Sequence, residues 1–137
     1  RGKLILLPED SRGTAIELRR SLIKYYRQER LGVLITDTRS RPLRVGVTGI
    51  ALAYAGFFGL RNYRGKKDLF GRKLKHTQSN LADALAAAAA AVMGEGRERI
   101  PLAIIRGAPI KYSHQPPDQS ILFMNPRQDL YRRLFLS

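Results

Sequence analysis

Cysteine is absent from this chain, which excludes thiol catalysis, a disulfide framework and cysteine-ligated zinc and is compatible with a reducing cytosol. Long apolar runs are missing too. The longest, the alanine stretch from Leu81 to Met93, is too short and too weakly hydrophobic to span a bilayer, and no signal-peptide layout opens the chain. A soluble cytoplasmic protein with no membrane partner is the expectation. Histidine is scarce: His76 and His114 have no metal-ligand spacing and read as loop or sheet-edge residues. Neither a Gly-x-Ser-x-Gly elbow nor a Walker phosphate loop occurs, so nucleophilic hydrolysis is not indicated. No helix-turn-helix, zinc-finger or RRM signature is present either.

Acids are also few. Lys and Arg number 25 against 11 Asp and Glu, a formal net charge of +14, and such an excess favours anionic partners. Between Arg39 and His76 lie ten cations (Arg39, Arg41, Arg44, Arg61, Arg64, Lys66, Lys67, Arg72, Lys73 and Lys75) and a single acid, Asp68. They flank a loop rather than forming a tail, which leaves two readings open: a solvated positive face, or a groove for phosphates and carboxylates. The neighbouring cations keep Asp68 ionised, and it either orients Lys66 or Arg72 or touches a substrate.

What is present suits one domain. At 137 residues the chain can bury roughly two thirds of its unfolded surface without a disulfide or metal staple. Lys3 to Leu7 is a short β-prone run ended by Pro8. Thr14 and Glu17 fit a capping box, and Ala15, Leu18, Leu22 and Tyr25 or Tyr26 recur at helical spacing, predicting a helix that ends near Leu31-Gly32. Strand Val33 to Thr36 follows and delivers Asp37 and Thr38, a hard oxygen pair, at its C-terminal end. After a turn at Ser40 to Pro42, Val45 to Gly56 reads as a strand or bent hairpin close to another backbone.

From Phe57 to Gln78 the expectation is a long irregular, functional loop with a short strand at Arg72 to His76. Asn80 caps a helix with Asp83 at its third position, Gly94 stops it, and the alanines between make it core. Ile100 to Arg106 is expected as a buried strand leaving through Gly107. Pro116-Pro117 marks a loop, and Asn125-Pro126-x-Gln128 caps a last short helix with Leu130 and Leu134 on its apolar face. Alternating strands and helices predict an α/β fold: a layered mixed sheet with packed helices in a single compact domain.

Several motifs in order carry a resemblance. Thr36-Asp37-Thr38-x-x-Arg41-Pro42-x-Arg44-x-Gly46-x-Thr48, then Asn62-Tyr63-Arg64-Gly65, Asp68-x-x-Gly71-Arg72-x-Leu74, Thr77, Ala82-Asp83 and Val92-Met93-Gly94 are similar to the γ-glutamyl ligase family that adds glutamate to the deazaflavin coenzyme F-420-0. The likeness begins at Leu7-Pro8-Glu9-Asp10, continues to Ile104-Ile105-Arg106-Gly107, and resumes at Asp129-Leu130-Tyr131-Arg132. It implies that residues 1–137 form a ligase-like domain using GTP as cosubstrate and Mg²⁺ or Mn²⁺, and joining glutamate to the coenzyme's terminal carboxylate through an acyl-phosphate. By the same likeness Asp37, Thr38 and Glu95 are the metal set. Arg41, Arg44, Arg64, Lys67 and Arg72 are the expected phosphate and substrate contacts, with forked guanidinium bonds to phosphate or carboxylate at Arg41 and Arg64. The partners implied are a nucleotide, an anionic small-molecule substrate and a second copy in a homodimer. No catalytic residue is assigned.

The chain also departs from the family pattern. Arg39-Ser40 stands where an aromatic-glycine pair is expected, Gly49 where an acid or amide follows Thr48, Ala53 where a glycine sits in the next strand, Ala84 where an acid follows Ala-Asp, and Glu95 where an amide is expected. The family's upstream metal and nucleotide segment, with its Asn-Ala-Gly run and Ser-Asn, is expected to be absent, so the chain is either a fragment of a longer ligase or a shortened relative that has lost catalysis. Losing acids while gaining Arg39 opens an alternative of a different class. A non-catalytic relative would use its basic groove to bind RNA or another polyanion, with Tyr54, Phe57, Phe58, Tyr63 and Phe70 as stacking surfaces.

Overall fold

A computed structural model describes residues 8–116 and 118–135. The β-prone run from Lys3 to Leu7, Pro117 of the expected loop and the side chain of Leu134 lie outside the described residues. The element order is α1 (Ser11–Tyr26), β1 (Val33–Ser40), β2 (Val47–Ala55), β3 (Leu60–Asn62), β4 (Gln78–Asn80), α2 (Leu81–Met93), two 3₁₀ turns (Gln119–Leu122 and Pro126–Gln128) and α3 (Arg132–Phe135).

The first helix begins earlier than its capping box suggests. Asp10 is the cap: its Oδ1 accepts from the Gly13 backbone N–H at 2.9 Å. Thr14 lies inside the first turn, where its hydroxyl donates back to the Asp10 carbonyl at 2.8 Å, a local bond that resembles a cap in sequence. The helix also stops earlier than Leu31, at Tyr26, with Arg27 in the left-handed region. Arg19 explains the return of the chain, since its Nε donates to the Leu31 carbonyl at 2.8 Å and fastens the 27–32 connection onto α1.

β1 and β2 form an antiparallel hairpin whose register slips between Ile35 and Thr36, where Ile35 faces Ala53 but Thr36 faces Ala51. This bulge at Leu52 has a visible result. Val33, Ile35, Ala53 and Ala55 pack with Ala15 of α1, whereas Leu34, Tyr54 and, after the bulge, Ala51 pack with Ala82 of α2. Because strand side chains alternate between faces, α1 and α2 cover opposite faces of the hairpin, a helix–sheet–helix sandwich. The expected β2 is therefore one bulged strand, slightly shorter at each end than Val45 to Gly56.

Alanine sets the thickness of this sandwich. Ala82, Ala86 and Ala89, spaced i, i+4, i+7, form the buried stripe of α2, and Gly49 of β2 lies so close that a Cβ there would overlap the Ala86 carbonyl and sit 2.9 Å from the Ala90 Cβ. Asn80, Asp83 and Gly94 take the roles expected of them. Asn80 Oδ1 accepts from the Asp83 N–H at 3.0 Å, and the Gly94 N–H closes on the Ala90 carbonyl at 2.9 Å. Asp83 also does what its position alone did not announce: its Oδ1 accepts the Ala51 N–H at 2.9 Å, pinning α2 to the bulge.

The α/β class holds, as two small antiparallel sheets with three α-helices; the single layered mixed sheet expected from sequence is represented among the described residues by these two separate sheets, β1–β2 and β3–β4. Within the 57–78 region, β3 and β4 pair and the segment between them folds into a finger. Its only strand character is a Lys67–Lys73 bridge, so the expected strand at Arg72 to His76 is corrected. Ile100 to Arg106 is a larger correction: it enters no strand and is largely exposed, its backbone forming no hydrogen bond with any described strand. Leu130 is 94% exposed in the turn before α3 and forms no apolar face. No described helix is long and apolar enough to cross a membrane.

Candidate functional site

The last residues of β1 meet the end of α2. Asp37 lies opposite Ile50 and Thr38 opposite Gly49, so the missing side chain that lets α2 approach at Gly49 also brings the helix end over Thr38. Gly94, with φ +77°, then turns the chain and delivers Glu95. Thr38 Oγ1 donates to Glu95 Oε2 at 3.2 Å across 57 residues of sequence, and Asp37 Oδ1 accepts the Thr38 N–H at 2.8 Å. Asp37 and Glu95 are exposed and Thr38 is half-buried.

This arrangement joins one carboxylate, Glu95, to the Thr38 hydroxyl, with the Asp37 carboxylate on the neighbouring strand residue turned to the Thr38 backbone N–H. All are hard oxygen donors of the kind Mg²⁺ and Mn²⁺ take, and since Thr38 donates its proton to Glu95, its oxygen lone pairs remain available. Among the described residues no three His, Cys, Asp or Glu converge as a metal-binding group, so any such site here depends on the hydroxyl and on solvent or phosphate oxygens. Glu98 is a neighbour that sequence reasoning passed over. Its Oε2 accepts the Gly96 N–H at 2.7 Å and holds the turn that presents Glu95; two acids bracketing Gly96 in a glycine turn were the available signal.

The five expected cations are dispersed. Arg41 and Arg44 occupy the exposed turn that follows β1, linked by an Arg44 N–H to Arg41 carbonyl bond of 3.3 Å. Arg64, Lys67 and Arg72 belong to the finger, which joins α2 at its N-terminus, while Glu95 follows the C-terminus of that 13-residue helix, about 20 Å away along its axis. Arg64 Nε donates to Asn62 Oδ1 at 3.1 Å, and Arg72 Nε pairs with Asp68 Oδ2 at 3.0 Å. Among the described residues no hydrogen bond or ion pair ties any of the five to Asp37, Thr38 or Glu95.

Asp68 resolves toward Arg72. Its Oδ1 accepts from the N–H groups of Phe70 (2.8 Å) and Arg72 (2.9 Å), and these bonds, led by the Arg72 backbone N–H, hold its carboxyl below the usual range. Lys66 lies instead over the Tyr63 ring, 5.4 Å from its centroid. The aromatics divide in the same way. Tyr54 and Phe57 are only 1% and 3% exposed, with ring centroids 5.0 Å apart, and burial pushes the Tyr54 hydroxyl pKa up. They are core and unavailable for stacking bases, whereas Phe70 stands exposed on the finger with the Arg72 guanidinium 5.4 Å above it.

Two cavities border the sandwich. One of about 280 Å³ is lined by Arg19, Arg20, Ile23, Gly56 and His114, with His114 an exposed loop residue as expected. The other, about 360 Å³, includes Leu34 and Ile35 of β1, Leu18 of α1, and Leu85 and Met93 of α2. Since Leu34 and Ile35 point to opposite faces, this cavity wraps the free edge of β1, and it reaches Thr36 beside the Asp37 pair.

A family model described as F420-0:Gamma-glutamyl ligase matches residues 1–107. The coenzyme F420:L-glutamate ligase of Methanococcus maripaludis is 41% identical over 126 residues, covering 92% of this chain and 50% of the relative. The protein of the same name in Methanopyrus kandleri is 41% identical over 133 residues (96% of this chain, 52% of the relative), and that of Archaeoglobus fulgidus is 42% identical over 106 residues (77% and 42%). The chain spans about half the length of the curated relatives it matches. With most of its residues matched by the family model and the sandwich, the α2 cap and the Asp37–Thr38 strand end all inside the matched span, this chain belongs to the F420-0:gamma-glutamyl ligase family.

Proposed function

We propose that this chain carries part of the active site of a cytoplasmic ligase that joins L-glutamate to the deazaflavin coenzyme F-420-0, working as a homodimer. The observation that supports the reading is the Thr38–Glu95 hydrogen bond of 3.2 Å, which joins the end of β1, where Asp37 also lies, to the residue just after α2 in a chain of the ligase family. In the proposed reaction GTP transfers its terminal phosphoryl group to the coenzyme's carboxylate and leaves as GDP. The glutamate amine then attacks the acyl carbon, loses a proton and expels phosphate as the amide forms.

Asp37, Thr38 and Glu95 would hold Mg²⁺ or Mn²⁺, whose contribution is to neutralise charge on the phosphate oxygens. Arg41 and Arg44, a few residues beyond Thr38 on the same hairpin, would receive those phosphates. Arg64, Lys67 and Arg72 would act from the finger on the anionic acceptor. The layered mixed sheet expected from sequence is read as the arrangement of the complete enzyme, to which the two small sheets would contribute. The RNA-binding alternative gains no support, since two of its five aromatics are in the core.

Calorimetric titration tests the proposal. GTP is expected to bind only when Mn²⁺ is present, and Asp37→Ala is expected to abolish that binding with the fold retained by circular dichroism. Nucleotide binding indifferent to both the metal and Asp37→Ala would remove the reading.

A further inference from the structure

Ile100 to Arg106 carries the composition of a doubly buried strand in a position where neither side is finished. Pro101, Leu102, Ala103 and Ile105 line the cavity along the free edge of β1, so the segment already lies over an open strand edge. Ile100, Leu102 and Ile104, spaced at the strand period, are 44%, 63% and 68% exposed. Among the described residues, no backbone N–H or carbonyl from 100 to 107 makes a hydrogen bond, in contrast with Phe58 to Lys111 (2.9 Å) and Ser113 to Gly56 (2.9 Å), which tie down the chain just after it. Apolar residues on both sides and an unpaired backbone are what remains when a strand is described without its ladder partner.

We infer that residues 100–106 are a strand acceptor, and that their occupant is a β-strand from a polypeptide equivalent to the half of the curated relatives that this chain does not match, whether joined to it or separate. Three observations select that occupant. The relatives are about twice as long and keep about 40% identity across the matched half, so each of them carries a further stretch of chain able to supply such a strand. The family match runs through the segment and ends at residue 107, so the segment belongs to the shared architecture. The exposed row is aliphatic at Ile100, Leu102 and Ile104 and ends at Arg106, while the chain carries a net charge of +14, which suits burial against an apolar strand better than pairing with a second equally basic copy. The inference rests on membership of the family and not on the proposed metal chemistry.

The test is to express the 137-residue chain alone and together with the unmatched half of the Methanococcus maripaludis relative as a separate polypeptide, and to follow hydrogen exchange and mass by light scattering. The amides of 102–106 are expected to exchange freely in the chain alone, and to slow at least about tenfold in a one-to-one complex. Leu102→Lys with Ile104→Lys is expected to weaken that complex about a hundredfold. Mn²⁺ binding dependent on Asp37 should be unchanged by the pair, which separates a failure here from a failure of the ligase reading. The inference is overturned by amides 102–106 already protected in a monomer, by protection that appears only as the chain self-associates, by a complex that leaves them unprotected, or by no complex at all.

Discussion

The sandwich of α1, the β1–β2 hairpin and α2 is held by a different kind of bond from the finger and the residues from 118 onward. In the sandwich the decisive contacts span sequence: Asp83 to Ala51 across 32 residues, Thr38 to Glu95 across 57, Arg19 to Leu31 across 12. In the finger, hydrogen bonds among the described residues join its own two arms, the widest from the Tyr63 N–H to the Thr77 carbonyl (3.0 Å), and from residue 118 onward they are short-range turns and caps. Asp118 accepts from Ser120, Asn125 from Arg127 and Asp129 from Tyr131, each over two residues. Caps of this kind shape a turn but bury nothing, and the same stretches leave Phe70, Phe123 and Tyr131 in solvent. Local chemistry can therefore fix a conformation without supplying a core, and only the sandwich has both.

The strongest way to break this contrast is at Gly49. Any Cβ there meets the Ala86 carbonyl, which belongs to helix backbone and cannot step aside as a side-chain tip would. Gly49→Ala is expected to destabilise the sandwich by about 3 kcal/mol, with a melting temperature lower by roughly 10 °C in thermal circular dichroism. It should also part Thr38 from Glu95, because α2 must move off the hairpin. An unchanged melting temperature would mean that the helix is not seated on β2 as described.

Asp83 comes next. Asp83→Ala leaves the Ala51 N–H without its acceptor at the bulge and removes the 2.8 Å bond from Asn80 Nδ2, so a loss of about 2 kcal/mol in urea unfolding is expected. Asp83→Asn should recover part of it, since an amide oxygen can still accept from Ala51. If both variants unfold alike, the carboxylate acts through helix charge rather than through the bulge.

How much of this was legible in sequence follows the same division. Asn80, Asp83 and Gly94 were readable because a cap is chemistry within a few residues, and the alanine stripe announced close packing by its volume. The α1 start was misread because Thr14, bonded to the Asp10 carbonyl inside the first turn, has the same composition signal as a cap one turn later. The bulge at Leu52 was not legible, since a register slip is a property of two strands and not of either. Ile100 to Arg106 was read as a strand from its residues, but a ladder also needs a neighbour, which composition cannot supply. The meeting of Thr38 with Glu95 came only from the family likeness; nothing local in either residue points to the other across 57 positions.

The smallest expected effect separates the two regions most sharply. Asp68 is half-buried in the finger, and its carboxylate accepts from two backbone N–H groups and from the Arg72 guanidinium, which holds its pKa below the ordinary value. A carboxyl depressed in the folded state contributes order above its unfolded pKa and loses it as the pH falls through the folded one. Acidification below about pH 4 should therefore shift the Phe70 and Arg72 amide resonances together, while the Ala53 and Ala55 amides, which lie in the hairpin away from any carboxylate, stay fixed. Asp68→Asn should produce the same finger shifts at neutral pH with the thermal midpoint of the sandwich unmoved, because among the described residues no hydrogen bond runs from Asp68, Phe70 or Arg72 to the sandwich. Should the Ala53 amide titrate along with Phe70, the finger and the sandwich are one cooperative unit, and the division drawn between local caps and long-range contacts fails at its weakest joint.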